Sequence, residues 1–507
     1  MKKRRRAIVR ANEKMVKRVI AATGVKGLDD ILEGGLTPHR LHLVEGDPGA
    51  GKTTLAIQFL MEGRRLGERG LYITLSETEE ELRDGAKSHG WSLEGIDIFE
   101  LKAVEQRTLG GDVSLFHPGE VELGEAMKTL LDEVNRRDPS RVVFDSLSEI
   151  RLLAQQPLRY RRQILALKQH FVNKKCTVLL LDDRTADAQD KQVMSIAHGA
   201  IELEQSSPAY GNERRRVRVA KMRGRSYRGG FHDYTIGTGG LRIFPRLVAA
   251  STRELPDKPI TRVTSGNAEL DTMLGGGLTR GTSTLVAGPP GSGKSSLVAT
   301  FAVGASSRGE RAVVYLFDEN PNTFVTRSVA LGIDPRPHIA SGKLALQQID
   351  PAELTPGEFV TRVRDEIEAG TRFVAIDSIN GYMSAMPEEK FLQVLLHELL
   401  TYAAQRDALM FLVTPHHGFV GALESRIDVS YLADTVILTR YFEAKGAIHN
   451  AISVMKQRNS AHEKTIREFK IGHGGISVGR PLTAFHGVFG GTPEFSGEAN
   501  DLLMGSS

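Results

Sequence analysis

The chain has 507 residues, of which 40% are hydrophobic and 25% are charged, and its net charge is +4. This length allows two to four ordinary domains, and the composition is that of a globular protein rather than a disordered or fibrous one. The single cysteine, Cys176, excludes an internal disulfide framework and a cysteine zinc site. No apolar run reaches the roughly 18 residues that span a bilayer, so we expect a cytoplasmic protein without a membrane segment.

The positive charge is concentrated at the start of the chain. Residues 1–18 hold nine lysines and arginines and one glutamate, a charge of +8 that leaves −4 for the remainder. We expect this tail to be a solvated, disordered arm, and it lacks the apolar core of a signal peptide. Because the rest of the chain is negative, we do not expect nucleic acid as a partner.

The first motif in chain order follows the apolar run 41–45. It reads GDPGAGKTT from Gly46 to Thr54, and the helix-like run LAIQFL comes next. This is G-x-x-x-x-G-K-[ST] between a predicted strand and a predicted helix, the pattern of a phosphate-binding P-loop. Glycines let the backbone N–H groups point at a phosphate, and the helix start adds the positive end of its dipole. We predict that Lys52 contacts the β and γ phosphates of ATP and that Thr53 gives a hydroxyl to Mg²⁺.

A second copy of the motif, GPPGSGKSS, follows the apolar run 283–287. In this copy Lys294 and Ser295 take the roles of Lys52 and Thr53. A chance glycine-rich turn could explain one match, but two matches in this context argue against chance. The predicted ATP-binding residues are Gly46, Gly49, Gly51, Lys52, Thr53, Thr54, Gly288, Gly291, Gly293, Lys294, Ser295 and Ser296.

The two motifs belong to a duplicated unit. The P-loop lysines are 242 residues apart, and so are Asp29 in LDDILEGGL and Asp271 in LDTMLGGGL. A constant spacing over about fifty residues indicates tandem duplication. We predict a basic tail at 1–18, a first domain at 19–247, a linker at 248–260, a second domain at 261–490 and a flexible tail at 491–507.

Apolar runs alternate with helical stretches in each unit. Such runs, apolar throughout, are typical of strands buried on both faces, and the helices between them imply a parallel sheet. Shorter alternating segments such as RRVRVAKM predict antiparallel strands at one edge. The predicted fold class is therefore α/β, with two tandem P-loop domains that each have a mainly parallel central sheet flanked by helices. The predicted strands are 41–45, 71–75, 141–145 and 176–181 in the first unit, and 283–287, 312–317, 372–376 and 409–414 in the second.

Asp145 and Asp377 each end an apolar strand. A carboxylate at the mouth of a parallel sheet can hold Mg²⁺ or its water, although each aspartate could instead cap the following helix. Given the P-loops, we favour the metal role. The two aspartates are 232 residues apart, ten fewer than the lysines, and we place the ten extra residues of the first copy between Leu109 and Gly124.

Glu77 and Glu319 end the strand that follows each P-loop helix. A carboxylate there could orient or deprotonate a nucleophile that faces the γ phosphate, or it could be an ordinary solvated acid. Asp318 precedes Glu319, whereas Ser76 precedes Glu77. We predict catalytic roles for Glu77, Asp318 and Glu319. Two adjacent carboxylates raise each other's pKa, and because only the second half has such a pair, we predict different chemistry in the two halves.

Basic residues recur at matching places late in each unit, as Lys221 and Arg223 and as Lys456, Arg458 and Lys464. They could be solvated strand faces. Their recurrence favours another role, in which a neighbouring subunit supplies a cation that stabilises charge on the γ phosphate.

These residues make the chain resemble the KaiC family of double-domain, RecA-like ATPases, over roughly residues 19–495. The resemblance rests on more than the P-loops. In the first half its motifs are LDDILEGGL, GDPGAGKTT, LSETEEE, VVFDS and RRVRVAKMRG. In the second half they are LDTMLGGGL, GPPGSGKSS, FDENP, VAIDSING, YLADTVILTRYFEAKG and KQRNSAHEKTIREFKI.

The resemblance implies a two-tiered homohexameric ring with ATP and Mg²⁺ at the subunit interfaces. It implies slow hydrolysis in the first domain and autophosphorylation in the second, on a Ser-Thr pair whose position here is occupied by Ser430 and Tyr431. Ser430 is therefore the predicted phosphorylation site, although it could be a structural hydroxyl. Ser76 stands where the family has the first glutamate of a pair. The implied partners are a KaiB-like protein or a histidine-kinase signalling protein.

The resemblance favours an ATPase and serine autokinase in circadian-type or stress signalling. A nucleotide-gated hexameric scaffold without kinase activity is an alternative, which the tyrosine at 431 keeps open. A RecA- or RadA-like DNA-dependent ATPase is a third, supported only by the basic tail and opposed by the negative charge of the remainder.

Overall fold

The chain divides into two compact units between Arg246 and Leu247. The computed structural model describes residues 20–101, 118–172, 174–184, 192–249, 261–384, 391–415, 431–444, 446–488 and 494–496. The predicted tail at 1–18 lies outside these residues, as do most of the predicted linker at 248–260 and most of the tail at 491–507. The insertion predicted between Leu109 and Gly124 also lies largely outside them.

One sheet of nine strands forms the centre of the described part of the first unit. The strands are β1 (Leu41–Gly46), β2 (Gly70–Thr74), β3 (Asp97–Glu100), β4 (Arg141–Asp145), β5 (Thr177–Asp183), β6 (Gly199–Ser206), β7 (Arg214–Met222), β8 (His232–Gly237) and β9 (Gly240–Phe244). Their order is β3-β2-β4-β5-β1-β6-β7-β8-β9. The first six strands of this order, which run from β3 through β1 to β6, are mutually parallel. Strands β7, β8 and β9 continue the sheet in antiparallel fashion.

Helices connect the parallel strands of the first unit. They are Leu28–Ile31, Lys52–Arg65, Glu79–Ser88, Pro118–Arg137, Leu147–Ala154, Pro157–Val172 and Gln192–Ile196. The start of Glu79–Ser88 is fixed by a capping box, because the Thr78 hydroxyl accepts from the Glu81 N–H at 3.2 Å and the Glu81 carboxylate accepts from the Thr78 N–H at 2.8 Å. This cap fixes the turn in which Glu77 lies.

The second unit repeats this arrangement. Its strands are β10 (Arg262–Val263), β11 (Leu278–Thr279), β12 (Ser283–Gly288), β13 (Arg311–Leu316), β14 (Leu344–Gln348), β15 (Thr371–Asp377), β16 (Leu409–Pro415), β17 (Thr435–Ala444), β18 (Ala447–Gln457), β19 (Arg467–Gly472), β20 (Gly475–Pro481), β21 (Phe485–His486) and β22 (Glu494–Phe495). Nine of these described strands form one sheet in the order β14-β13-β15-β16-β12-β17-β18-β19-β20, which matches the first sheet position by position.

The helices of the second unit are Ala268–Met273, Lys294–Ser307, Pro321–Ala330, Arg336–Ala340, Pro356–Glu368, Ile379–Ser384 and Leu392–Gln405. The helix Pro321–Ala330 begins at Asn320, whose side-chain oxygen accepts from the Thr323 N–H at 2.9 Å, with proline at the first helical position. This cap fixes the turn that carries Asp318 and Glu319.

Alternate residues of each central strand pack into two cores, one on each face of the sheet. In β4, Val143 belongs to one cluster and Phe144 to the other. In β15, Val374 and Ala375 divide in the same way. The predicted α/β architecture is thus confirmed, with the strands that were predicted as apolar runs buried on both faces as parallel strands require.

The segment after Arg246 packs with the second unit. Leu247 and Ala249 join its core, and the Ala249 N–H donates to Glu398 at 2.7 Å. Leu247, predicted as the last residue of the first domain, and Ala249, predicted as linker, therefore both pack with the second unit. In the described ranges, every helix is too short or too polar to cross a bilayer.

Candidate active sites

The first P-loop connects β1 to the helix Lys52–Arg65 at the carboxyl edge of the sheet. Gly49 and Gly51 adopt left-handed φ values of 81° and 90°, which residues with a Cβ rarely adopt. A Cβ on Gly51 would lie 2.5 Å from Cδ1 of Ile236, so the packing of Ile236 against the loop leaves no room for a side chain at this position. Gly46 ends β1, and Thr53 and Thr54 lie in the first turn of the helix.

The second P-loop has the same conformation. Gly291 and Gly293 have φ values of 77° and 94°, and Gly288 ends β12. A Cβ on Gly293 would lie 2.2 Å from Cδ1 of Ile471. Ser295 and Ser296 lie in the first helical turn. The predicted ATP-binding residues of each motif are therefore brought together around one loop and one helix start.

The two P-loop lysines have different partners. The Lys52 ammonium donates to the carbonyls of Gly46 and Asp47 at 2.9 and 3.0 Å, and forms an ion pair with Asp183 at 2.7 Å. The Lys294 ammonium donates to the Pro289 carbonyl at 2.7 Å. Burial lowers the pKa of Lys294 to about 8, against the opposing effect of Asp377 and Asp318. A triphosphate would restore the charged form.

This lowered pKa predicts proton uptake when ATP binds to the second domain. Above about pH 8 the empty site holds a neutral amine, and the phosphates favour its protonation. In a Lys52→Ala background at about pH 8.5, we expect the binding enthalpy of ATP to differ between two buffers of different ionisation enthalpy. Lys294→Arg is the control, because a guanidinium stays charged at this pH. Equal enthalpies for the Lys294 protein in both buffers would contradict the prediction.

Asp145, the last residue of β4, faces the first P-loop. Its Oδ2 accepts from the Thr53 hydroxyl at 3.0 Å and also from the Tyr72 hydroxyl. Burial raises the pKa of Asp145, while these hydrogen bonds and Lys52 oppose the shift. A buried carboxylate beside a hydroxyl is a donor set of hard oxygens, which fits Mg²⁺. The bonds from Thr53 and Tyr72 hold this carboxylate at the start of the P-loop helix, and its role in binding Mg²⁺ stays a prediction.

Asp377 occupies the same place in the second domain, at the end of β15. The Ser295 hydroxyl hydrogen-bonds to it, and burial is the main cause that raises its pKa. Its Oδ2 is buried and has no hydrogen-bond partner among the described residues. An unsatisfied buried carboxylate oxygen is costly, and a divalent cation or its water would satisfy it. Asp377 and Ser295 therefore also fit Mg²⁺.

Glu77 and Glu319 lie at the same edge as the P-loops, in the turns after β2 and β13. Glu77 is an exposed residue, but the protein around its carboxyl partly excludes water and raises its pKa, with a smaller contribution from Asp145. The carboxylate of Glu319 forms an ion pair with Arg327 at 2.6 Å. Its pKa is raised mainly by burial, and Asp318 contributes less than Asp377 does. The adjacent acid therefore raises the pKa of Glu319 in the predicted direction, but burial is the larger cause.

Asp318 is tied to the candidate metal site by a hydrogen bond. Its Oδ2 accepts from the Ser378 hydroxyl at 2.6 Å, and Ser378 directly follows Asp377. Ser76 replaces this carboxylate in the first domain. The two sites therefore share a phosphate loop and a strand-end aspartate but differ in the acids around them.

The recurring basic residues lie at the end of the sheet where the parallel strands start, which is opposite to the end that carries the P-loop of the same domain. Lys221 pairs with Ala200, near the start of β6, and donates to the carbonyls of Met194 and Ala197 at 2.6 and 2.8 Å. Lys456 lies near the start of β17 and donates to the Ala433 carbonyl at 2.8 Å. This register separates them from the P-loop of their own domain, and a contact with ATP of another subunit stays a prediction.

The remaining members of this basic set have similar positions. Arg223 donates to the Ser195 carbonyl at 2.8 Å and Arg458 to the Tyr431 carbonyl at 2.9 Å, while Lys464 is exposed. Ser430, the predicted phosphorylation site, lies outside the described residues.

Three residues that contact the predicted site residues were not predicted from the sequence: Tyr72, Asp183 and Arg327. Asp183 ends the run VLLLDD, so the rule used for Asp145, an acid at the end of an apolar strand, could have found it. Tyr72 and Arg327 lie within a strand and a helix, and their partners are 73 and 8 residues distant in sequence. No local pattern marks such contacts.

A P-loop and a strand-end aspartate on a mainly parallel sheet, repeated in tandem, define a double RecA-like P-loop NTPase. The family model described as "ATPase: KaiC" matches residues 21–248 and 263–483. The chain therefore belongs to the KaiC family of ATPases.

Relatives of known name match over nearly their whole length. The circadian clock protein KaiC3 of Synechocystis sp. is 28% identical over 488 residues, which cover 94% of this chain and 95% of the relative. The circadian clock oscillator protein KaiC of Parathermosynechococcus lividus is 27% identical over 485 residues, covering 93% and 87%. That of Prochlorococcus marinus is 28% identical over 497 residues, covering 94% and 95%. The similarity thus includes both domains.

Proposed function

We propose that this chain hydrolyses ATP in its first domain and phosphorylates Ser430 in its second, as a subunit of a two-tiered homohexamer. The names of its relatives support a role in circadian-type signalling. A role in stress signalling, and a KaiB-like protein or a histidine-kinase signalling protein as partner, are part of the proposal. Mg²⁺ held by Asp145 with Thr53, and by Asp377 with Ser295, would neutralise charge on the phosphates.

Hydrolysis in the first domain is assigned to Glu77. Lys52 binds the phosphates, and Glu77 orients a water molecule and takes its proton as the water oxygen bonds to the γ phosphorus and ADP leaves. A raised pKa suits a base that works near neutral pH. The first domain has no second acid at position 76, which leaves Glu77 as the candidate base there.

Phosphoryl transfer in the second domain is assigned to Asp318 and Glu319. In this step the Ser430 hydroxyl oxygen bonds to the γ phosphorus, its proton passes to Glu319, and the bond to ADP breaks. Arg327 holds Glu319 by the ion pair at 2.6 Å, and Ser378 holds Asp318. These contacts support a fixed pair of acids beside the second P-loop.

One observation carries the kinase proposal: Arg458 and Lys456 donate to carbonyls one and three positions after Ser430. Arg458 donates to the Tyr431 carbonyl and Lys456 to the Ala433 carbonyl, and Tyr431 is 55% exposed. These bonds support a position of the segment that begins at Tyr431 at the same end of the sheet as Lys456 and Arg458. A cation that reaches the γ phosphate of a neighbouring subunit would bring this segment with it, so transfer would occur between subunits.

The test is to incubate the full chain with Mg²⁺ and γ-labelled ATP and to map the label by mass spectrometry. We expect label on Ser430, and we expect Ser430→Ala and Glu319→Gln to abolish it while phosphate release by the first domain continues. Label that persists in Ser430→Ala means that the acceptor is a different residue.

Mixing two variants tests transfer between subunits. The Lys294→Ala chain keeps the acceptor but lacks the second P-loop lysine, and the Ser430→Ala chain keeps the site but lacks the acceptor. In mixed rings, label should appear on the Lys294→Ala chain. If neither the mixture nor the wild type is labelled although ATP is hydrolysed, the chain is a nucleotide-gated scaffold, the alternative that Tyr431 favours.

A further inference from the structure

The partner of the first P-loop lysine is a carboxylate of its own chain. The Lys52 ammonium lies 2.7 Å from Oδ1 of Asp183, the last residue of β5. The strand register places Asp183 beside Gly46, where the P-loop starts. Lys52 is 8% exposed, so water screens this ion pair less than it screens a surface pair. The positive charge of Lys52, which would bind the phosphates of ATP, is therefore already paired with Asp183.

The second domain has an uncharged residue at the corresponding position. Strand register pairs Gly288 with Pro415, as it pairs Gly46 with Asp183. In the described part of the second domain, Lys294 donates to the Pro289 carbonyl and has no ion pair, while Asp377 and Asp318 act on it from a longer distance. The two sites of one chain thus differ in whether a carboxylate directly contacts the P-loop lysine.

Asp183 is held in place from its other side. The Ser148 hydroxyl lies 3.2 Å from Oδ2 of Asp183, and the neighbouring Asp182 forms an ion pair with Arg151 at 2.5 Å. These contacts anchor the end of β5 to the helix Leu147–Ala154. When Lys52 turns to a phosphate, the carboxylate of Asp183 therefore stays at the P-loop.

We propose that Asp183 sets the affinity of the first domain for ATP. It competes with the triphosphate for Lys52, and after Lys52 has moved it stays beside the P-loop as a charge of the same sign as the phosphates. Both effects oppose ATP binding in the first domain, and the corresponding position of the second domain, Pro415, has no charge that could exert either of them. This inference rests on the proposed function, because it assumes that the first site binds ATP.

The first test removes this charge. In the full chain with Lys294→Ala, so that binding reports on the first domain, the Kd for ATP with Mg²⁺ is measured by calorimetry. We expect Asp183→Asn to lower this Kd about tenfold, which corresponds to about 1.4 kcal/mol. Damage to the fold would weaken binding, so a tighter complex cannot come from misfolding. An unchanged or higher Kd in Asp183→Asn would overturn the proposal.

The control exchange is Asp84→Asn. Asp84 is exposed on the helix Glu79–Ser88, where it pairs with Lys87, and its replacement should leave the Kd unchanged. If the Lys294→Ala chain binds no ATP and releases no phosphate, the proposed function of the first domain fails together with the inference. If it binds ATP but Asp183→Asn has no effect, only the inference fails.

The second test adds the charge to the other site. In a Lys52→Ala background, Pro415→Asp and Pro415→Asn differ by one charge and have nearly the same shape. We expect the aspartate variant to bind ATP about tenfold more weakly than the asparagine variant. Equal affinities would contradict the role of this position.

Discussion

Replacing Lys52 with alanine is expected to lower ATP hydrolysis by about 100-fold or more, whereas replacing Lys294 leaves most of it intact. Removal of one group that stabilises developing charge costs about 10² to 10³ in rate at comparable sites. Lys52 is buried, and its ammonium is held at the mouth of the loop by the carbonyls of Gly46 and Asp47. A charge in that place acts on the phosphates with little screening.

The measurement is phosphate release by the full chain under saturating ATP and Mg²⁺. Lys52→Ala and Lys294→Ala are matched variants, because both remove a lysine at the first position of a helix that follows a P-loop. Thermal denaturation of the nucleotide-free proteins checks that both fold. If Lys294→Ala stops hydrolysis and Lys52→Ala does not, ATP turnover belongs to the second domain and the assignment of the two halves is reversed.

Glu77→Gln is expected to lower hydrolysis by about 100-fold while ATP binding stays within twofold of the wild type. General-base catalysis contributes about 10² to 10⁴ in rate, and glutamine keeps the size of the side chain but cannot take a proton. Asp145 contributes to the raised pKa of Glu77, and among the described residues no hydrogen bond joins the Glu77 side chain to the P-loop. The loss should therefore fall on the chemical step rather than on binding.

Glu80→Gln is the matched control, since Glu80 is exposed in the first turn of the following helix. Phosphate release and nucleotide affinity are measured on both variants. The raised pKa of Glu77 adds a second readout, because the base is lost as the pH falls through that pKa. Wild-type hydrolysis should decline at a less acidic pH than an ordinary glutamate would give. Equal rates for Glu77→Gln and the wild type would remove Glu77 from the mechanism.

The features that the sequence predicted are those with a local physical cause. Positions that must adopt a left-handed φ, such as 51 and 293, favour glycine, and the spacing of these glycines is recognisable as a P-loop motif. A strand that is buried on both faces leaves an apolar run, as β4 and β15 do. The aspartates at the ends of these strands follow from the topology of a parallel sheet.

The edge strands β3 and β14 were not among the predicted strands. An edge strand has a neighbour on one side only, so it tolerates polar residues, and Asp97 at the start of β3 is exposed. Such a strand leaves no continuous apolar run.

The contacts that distinguish the two sites also could not be predicted, because they join residues that are distant in sequence. The ion pair of Lys52 with Asp183 depends on the register between β1 and β5. The bond from Tyr72 to Asp145 depends on β2 lying beside β4. The motifs of the two halves are alike around the P-loop lysine, and the contact of Lys52 with Asp183 appears only when the strands are aligned in space.

Strand β7 extends from the P-loop of the first domain to the basic residue Lys221. Near its start it pairs with Gln205, whose side chain lies against Gly49 of the P-loop, and near its end it carries Lys221. Nine residues of strand span about 30 Å. Because β7 is hydrogen-bonded to β6 along its whole length, Lys221 is held at a fixed distance from the P-loop. If Lys221 contacts the ATP of a neighbouring subunit, as proposed, this one strand would connect two nucleotide sites.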